Sequence, residues 1–281
     1  MAASGPVSAT SLTVGTARQT STNVSLDTGR NGGADVWIRD LGTGHETRAT
    51  FDGEALTPQW SPDGTRLVFC GPGDKPPLKL LLKQVGIDGA ATPVGTSNLP
   101  NFASGWSGDG QTIVSVRSDR VHREDLWLHR LKDNIDERLT LNTDFSESHG
   151  RVSPDDRWIA YETDASGRRE VWIASFPAGE IRRQVSQGGG ASPEWGDGSR
   201  EVIYLSADRR LMSARLDGEP AAPRALFAVP NVAEVDQLAF PTANVYLAAS
   251  NGQRFLFAVR TRDPNAPPIN IVVNWPALVS R

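Results

Sequence analysis

Cysteine is almost absent from this 281-residue chain, and its scarcity excludes whole classes of construction. The lone Cys70 can form no intramolecular disulfide and no Cys-rich zinc site. Set in the apolar run Leu67-Val68-Phe69-Cys70, it reads as a small buried hydrophobe. Histidine is also scarce, with four copies, and neither sign of charge prevails. There are 29 Lys and Arg against 33 Asp and Glu, a formal net charge of −4. No basic stripe marks a nucleic-acid partner, and no acidic tail marks a disordered one. No apolar run approaches the roughly 18 residues of a membrane span, and the N-terminal stretch lacks a basic start followed by a hydrophobic block. The chain therefore reads as soluble, with no membrane insertion and no signal peptide.

The familiar catalytic signatures are missing too. The nearest approach to a Gly-x-Ser-x-Gly nucleophile elbow is Gly190-Ala191-Ser192-Pro193-Glu194, which lacks the second glycine. No His-Glu-x-x-His and no phosphate-cradling Gly-x-x-x-x-Gly-Lys occurs. His129-Arg130-Leu131-Lys132-Asp133-Asn134 lacks the spacing of a kinase catalytic loop, and its Asp133-Asn134 reads as an inter-strand turn.

What the chain does have is a repeated phrase. Trp60-Ser61-Pro62-Asp63-Gly64 returns as Trp106-Ser107-Gly108-Asp109-Gly110, as Val152-Ser153-Pro154-Asp155-Asp156 and as Trp195-Gly196-Asp197-Gly198. A second phrase keeps step with it: Val36-Trp37-Ile38, Leu126-Trp127-Leu128 and Val171-Trp172-Ile173, with Leu80-Leu81-Leu82 where a further copy is due. The period is about 45 residues, which divides the chain into about six units, each burying its apolar faces against the next. The Ser-Pro-Asp-Gly phrase is turn chemistry: proline presets φ, aspartate bonds the backbone ahead, and glycine accepts positive φ. Asp156 stands where that glycine is expected and is predicted to adopt the left-handed region. After each turn comes a β-rich run, Leu67-Val68-Phe69, Thr112-Ile113-Val114, Trp158-Ile159-Ala160-Tyr161 or Val202-Ile203-Tyr204, read as a buried central strand. More polar segments such as Glu46 to Thr50 and Arg182 to Val185 suit outer edges protected from aggregation.

Four antiparallel strands per repeat make a propeller blade. The fold expected is all-β, a six-bladed β-propeller closed by mixing N- and C-terminal strands. The phrases quoted, with Pro223-Arg224-Ala225-Leu226-Phe227 and Asn251-Gly252-Gln253-Arg254-Phe255-Leu256, resemble the TolB-type propeller built from WD-like repeats, over roughly residues 24 to 278. The resemblance extends to propellers that follow a membrane segment in some bacterial serine/threonine kinases. Residues 1–22 read as a flexible leader or closing strand, and residues 23–281 as one propeller domain that begins inside a blade. Closure is expected to pair Leu12 to Thr16, or Val24 to Leu26, beside strands drawn from Val245 to Trp275.

In a propeller the loops entering each innermost strand ring the channel mouth. Those loops gather Asp52, Glu54, Asn98, Asn101, Asp144, Glu147, His149, Glu234 and Asp236, with Arg151 as a nearby counter-charge. An oxygen-rich ring of Glu54, Asn101, Glu147, His149 and Asp236 would suit a divalent cation, Ca²⁺ above all. Solvated loop carboxylates are the plainer alternative. His149 reads as ligand, general base or satisfied structural histidine, with Glu147 beside it in the same catalytic role. His45, His122 and His129 are expected on blade edges or outer loops. Trp37, Trp127 and Trp172, like Trp60, Trp106 and Trp195, recur at blade positions and are expected to pack between blades.

Two functions follow. The resemblance implies a non-catalytic, extracytoplasmic or periplasmic scaffold, engaging a protein, peptide or small ligand through Glu54, Asn101, Arg151 and Asp236. The alternative is a metal-dependent hydrolase of lactones, esters or phosphotriesters, with the cation polarising the substrate and His149 or Glu147 activating water.

Overall fold

The structure is a computed structural model. It describes residues 23–28, 35–40, 43–72, 78–119, 123–139, 141, 143–217, 222–229, 246–248, 254–258 and 269–273. Six antiparallel sheets appear among them, strictly in chain order. The first holds β1 (Asn23–Thr28), β2 (Asp35–Asp40) and β3 (Glu46–Arg48). The second holds β4 (Leu56–Trp60), β5 (Arg66–Gly71), β6 (Lys79–Gln84) and β7 (Thr92–Val94). The third is β8 (Asn101–Trp106), β9 (Thr112–Asp119), β10 (Arg123–Arg130) and β11 (Ile135–Arg138). The fourth is β12 (Glu147–Val152), β13 (Trp158–Thr163), β14 (Glu170–Ser175) and β15 (Arg182–Gln184). The fifth is β16 (Gly190–Gly196), β17 (Glu201–Ser206), β18 (Arg210–Arg215) and β19 (Arg224–Ala228). The sixth holds β20 (Tyr246–Ala248), β21 (Arg254–Ala258) and β22 (Ile269–Val273). This is an all-β, propeller-like fold of repeated four-stranded sheets.

The second strand of each full sheet is buried on both faces, which explains the unbroken apolar runs. Leu67 and Phe69 pack with Val36 of the first sheet, while Val68 between them packs with Ala103 and Ile113 of the third. Ile159 and Tyr161 face Val114 and Leu126, and Ala160 faces Val202 and Tyr204. The core is thus a series of apolar seams between successive sheets. Cys70, on the same strand β5, is fully buried, and burial pushes its thiol up to about 12.

The turn phrase works through more atoms than its proline and glycine. Ser61 Oγ donates to Asp63 (2.5 Å) and accepts the Arg66 N–H (2.9 Å), and Asp63 in turn accepts the Thr65 N–H (3.0 Å). Ser107 and Asp109 repeat this, as do Ser153 and Asp155. Gly64 and Gly110 have φ of 71° and 68°, and Asp156 has 58°, as the sequence predicts. The structure adds why aspartate stands there. Its carboxylate crosses the seam to the preceding turn and accepts the Gly108 N–H and the Asp109 N–H (2.9 Å).

The innermost strands β4, β8, β12 and β16 each carry a bulge against their partner strand. At three of them a non-glycine residue is left-handed: Thr57 (φ 48°), His149 (φ 50°) and Ser192 (φ 52°). Backbone groups around these bulges bond across the seams. Ser104 Oγ donates to Gly150 O (3.2 Å), Trp106 Nε1 to Gln59 O (3.3 Å), Trp195 Nε1 to Arg151 O (2.8 Å) and Tyr246 Oη to Ser192 O (2.8 Å). Trp60, Trp106 and Trp195 are buried in the seams as expected. Trp37, Trp127 and Trp172 are only partly buried, and the Arg117 guanidinium lies 3.9 Å from the Trp127 ring centre. Of the two closing strands anticipated, Leu12 to Thr16 falls outside the described residues. Val24 to Leu26 belongs to β1 and pairs with Arg39 to Trp37 of β2.

Gly150 tests how tightly the seam is packed. A methyl group there would meet Leu126 Cδ2 and Val114 Cγ1 at 2.9 Å and Ile159 Cδ1 at 3.2 Å. Gly150→Ala is expected to lower stability by about 1–3 kcal/mol in chemical denaturation, the usual range for overpacking a core. A change within about 0.5 kcal/mol, typical of surface sites, would contradict that packing.

Candidate functional site at the channel mouth

Chain direction sorts the connections between two ends of the molecule. The Ser-Pro-Asp-Gly turns lie at one end. At the other, the mouth, lie the loops that leave an outer strand and enter the next inner strand, residues 49–55, 95–100, 143–146 and 185–189.

An acid at or near the start of the strand next to the outermost one, in β2, β10 and β14, anchors this end of the sheet. Asp35 Oδ1 accepts from Thr50 Oγ1 (3.0 Å) and the Gly53 N–H (3.2 Å), while Arg48 pairs with Oδ2 (2.5 Å). Glu170 accepts the Gly188 and Gly189 N–H groups (2.9 Å each) through Oε1 and Ser186 Oγ (2.5 Å) through Oε2. Asp125 pairs with Arg138 at 2.5 Å. These acids head the same phrases that carry Trp37, Trp127 and Trp172, and their anchoring role was not visible in the sequence.

The predicted site residues are divided among separate networks. Glu54 is exposed, and Asp236 lies outside the described residues. Asn101 is buried, its Oδ1 accepting from Arg117 Nε (2.9 Å) and Ser115 Oγ (3.3 Å). Arg117 continues to Asp136 at 2.5 Å. Ser115 Oγ lies 2.6 Å from His129 Nε2, and His129 Nδ1 lies 2.7 Å from Asp136 Oδ1. His129 is therefore not on a blade edge. It is enclosed in β10 because its ring bridges β9 and β11 across one sheet face. Burial pulls its pKa down against the opposing pull of Asp136, which favours the neutral imidazole. Burial pushes the Asp136 carboxyl up, but His129, the Thr96 N–H and Arg117 outweigh it and hold it well below the carboxylate range. The order Ser115, His129, Asp136 has the connectivity of a nucleophilic triad. All three are enclosed in one sheet, and Arg117 and Asn101 complete the network. Asp133 and Asn134 form a turn, as expected.

Glu147 is buried at the start of β12, where it accepts from Thr143 Oγ1. Burial, reinforced by nearby Asp125 and Asp164, raises its pKa to about 7. Two residues on, His149 sits at its bulge with Nδ1 3.1 Å from Glu162 Oε1. The enclosed Glu162 also meets Arg169 Nη1 at 3.1 Å and accepts the Ser192 N–H at 2.5 Å. Burial pushes Glu162 up, but His149, Arg169 and that N–H outweigh it and hold the carboxyl low. Glu124, raised by burial, lies 3.9 Å from the same Arg169. Arg151 joins three inner strands, with Nε 3.1 Å from Glu194 and Nη1 3.3 Å from Ser104 Oγ.

A cation does not fit the acids around His149, because the Arg169 guanidinium already stands among them. Among the described residues, no group of three or more His, Cys, Asp or Glu side chains is arranged to hold a metal ion. Reading the mouth for acids also missed its apolar members. Phe51, Leu99 and Phe145 lie on three successive mouth loops and are 69%, 42% and 43% exposed. The Arg48 guanidinium lies 4.8 Å from the Phe51 ring centre.

The raised pKa of Glu147 gives a pH test. A folded-state value of about 7 against an ordinary 4.5 means that the folded protein binds this proton more tightly than the unfolded chain. Its contribution is complete below the ordinary value and lost as pH rises toward the raised one. Glu147→Gln should therefore gain on the wild type, by about 2 kcal/mol between pH 4 and pH 8, in denaturation series at several pH values. A pH-independent difference between the two proteins would remove this assignment.

Comparison with known proteins supports the architecture. No family model matches the chain. An uncharacterized protein of Agrobacterium fabrum, Atu1656, is 27% identical over 116 residues, which are 40% of this chain and 38% of that protein. The chain thus matches well under half the length of this curated relative. Among solved structures, TolB from Acinetobacter baumannii is similar with a TM-score of 0.69 and 14% identity, covering 89% of this chain and 60% of that one. An oligogalacturonate lyase in complex with manganese is similar with a TM-score of 0.63 and 14% identity, covering 94% and 74%. At such identities the likeness shows the fold alone, a TolB-like β-propeller.

Proposed function

We propose that this chain is a non-catalytic, TolB-like six-bladed propeller whose mouth engages a protein or peptide partner. One observation carries this: three successive mouth loops hold Phe51, Leu99 and Phe145 toward solvent, while the charged groups beneath are committed to one another. Exposed apolar groups rimmed by polar ones mark interaction surfaces. The partner would cover these side chains, with Arg48 and Arg169 offering charge beside them. Arg169 suits that role because half of its side chain remains exposed. An extracytoplasmic or periplasmic setting, which the family resemblance implies, belongs to the same proposal. Among the described residues no helix is long and apolar enough to cross a membrane.

A change confined to the mouth should separate binding from folding. Proteins captured by the wild type are expected to be lost from a Phe51→Ser, Leu99→Ser, Phe145→Ser variant and retained by Ile87→Ser. Ile87 is equally exposed but lies at the opposite end. Equal capture by both variants, with melting temperatures unchanged, would reject the mouth as the docking surface.

The alternative is a hydrolase with Ca²⁺ or Mn²⁺ at the mouth, a reading that the Arg169 guanidinium among the acids around His149 opposes. Its favouring observation is a buried Glu147 poised near neutrality, and a manganese-bound lyase among the similar folds gives it context. Calorimetric titration of chelator-treated protein with Ca²⁺ and Mn²⁺ should show no tight uptake, and chromogenic esters, lactones and phosphotriesters should show no turnover. Metal-dependent turnover abolished by His149→Ala would establish the enzyme instead.

A further inference from the structure

At the end opposite the mouth, between the fourth and fifth sheets, a cleft of about 370 Å³ opens to solvent. Its apolar lining is Trp158, Ile173 and Leu216, continuous with the seam that buries Trp195 and Tyr204, and Ile181 stands on the rim 62% exposed. Three arginines surround it, Arg157, Arg183 and Arg200. Two of them are answered by the protein: Arg157 Nε lies 2.9 Å from Asp155, and Arg200 Nη2 lies 2.6 Å from Asp197. Asp217, the acid on the lining, pairs with Arg215 at 2.6 Å. Arg183 is exposed on β15 and makes no ion pair among the described residues.

The residue equivalent to Trp158 by repeat differs from blade to blade, being Arg66 in the second sheet, Thr112 in the third and Glu201 in the fifth. Two seams earlier, Arg66 crosses the boundary between the second and third sheets: its Nη2 donates to Gly110 O (3.0 Å) and its guanidinium lies 5.0 Å from the Trp106 ring centre. In the fourth sheet that place holds Trp158, whose indole forms a wall of the cleft.

We infer that this cleft is a binding site for a small amphipathic monocarboxylate, whose apolar body lies against Trp158, Ile173 and Leu216 and whose carboxylate pairs with Arg183. The volume falls at the lower end of small-ligand pockets, about 300–1,000 Å³, which suits one ring or a short aliphatic chain. Among the described residues of the lining Arg183 is the one cation without an ion pair, which sets the ligand's charge at minus one, and its planar fork suits a carboxylate in two-point contact. This site is independent of the mouth and of any partner there.

The test is a ligand-observed NMR titration of the whole chain with 4-phenylbutyrate and its uncharged amide. The acid is expected to bind about tenfold more tightly than the amide, the scale of a charge-assisted pair at a partly exposed site. Arg183→Gln should abolish that difference, and Arg224→Gln, a change on the exposed outer strand β19, should leave it intact. Acid and amide binding alike, a preference that survives Arg183→Gln, or no binding by either probe would each overturn the inference.

Discussion

Everything in this molecule rests on how each innermost strand pays for its bulge. At Thr57, His149 and Ser192 the chain turns left-handed and steps out of register with the second strand, leaving backbone groups without ladder partners. Buried and unbonded, such groups would cost about 1–3 kcal/mol each. Around the bulges of the fourth and fifth sheets the neighbouring blade supplies partners: Ser104 for Gly150 O, Trp195 for Arg151 O, and Tyr246 for Ser192 O. Glu162, on the fourth sheet, accepts the Ser192 N–H of the fifth. A seam is therefore specified by directional bonds as well as by apolar contact, and neither sheet can slide without breaking several at once.

That constraint explains why the polar residues of the inner strands are poor candidates for chemistry. Glu147, His149 and Arg151 look like a reactive set when read along the chain. In three dimensions Glu162 is divided among His149, Arg169 and a backbone amide, and Arg151 spans three strands. Removing charges from such a buried network leaves the partners unpaired, so the cluster persists for folding whether or not a ligand is present. The mouth loops are under no such constraint, because Asp35 and Glu170 hold their backbones from the strand below. Phe51 faces solvent from a loop fixed in this way, and Leu99 and Phe145 do so from loops held instead by Asp136, which accepts the Thr96 N–H (3.1 Å), and Asp164, which accepts the Ser146 N–H (3.0 Å).

The repeat made the fold legible because period and turn chemistry are local properties. Strands, turns, the left-handed Asp156 and the buried tryptophans of the inner strands could all be read from spacing. Pairings that depend on which strands become neighbours could not. Nothing in the sequence joins Ser115 to His129 and Asp136, since their contact requires three strands to align one face, and a histidine ending an apolar run reads as a surface residue. Asp156 was read as a turn residue, but its bonds to Gly108 and Asp109 come from a turn almost fifty residues away. The exposed phenylalanines were passed over for a different reason: metal-binding logic weighs oxygen and nitrogen donors and gives no weight to apolar side chains.

Positions equivalent by repeat but different in residue locate what is particular to this chain. Three of the inner strands place Gln59, Arg151 and Glu194 just before the seam residue, whereas the fourth places Gly105 there. A Cβ at Gly105 would come within 2.9 Å of Gly150 O, so the glycine makes room for the backbone carbonyl that Ser104 Oγ bonds across the seam. Likewise Arg66 closes one seam at the turn end, and Trp158 walls an open one. Packing demands the same solution from every blade, and a blade that departs from it does so at a local energetic cost. Gly105 and Arg151 lie inside the seams and serve their packing, whereas Trp158 lies where the seam between the fourth and fifth sheets opens to solvent at the turn end.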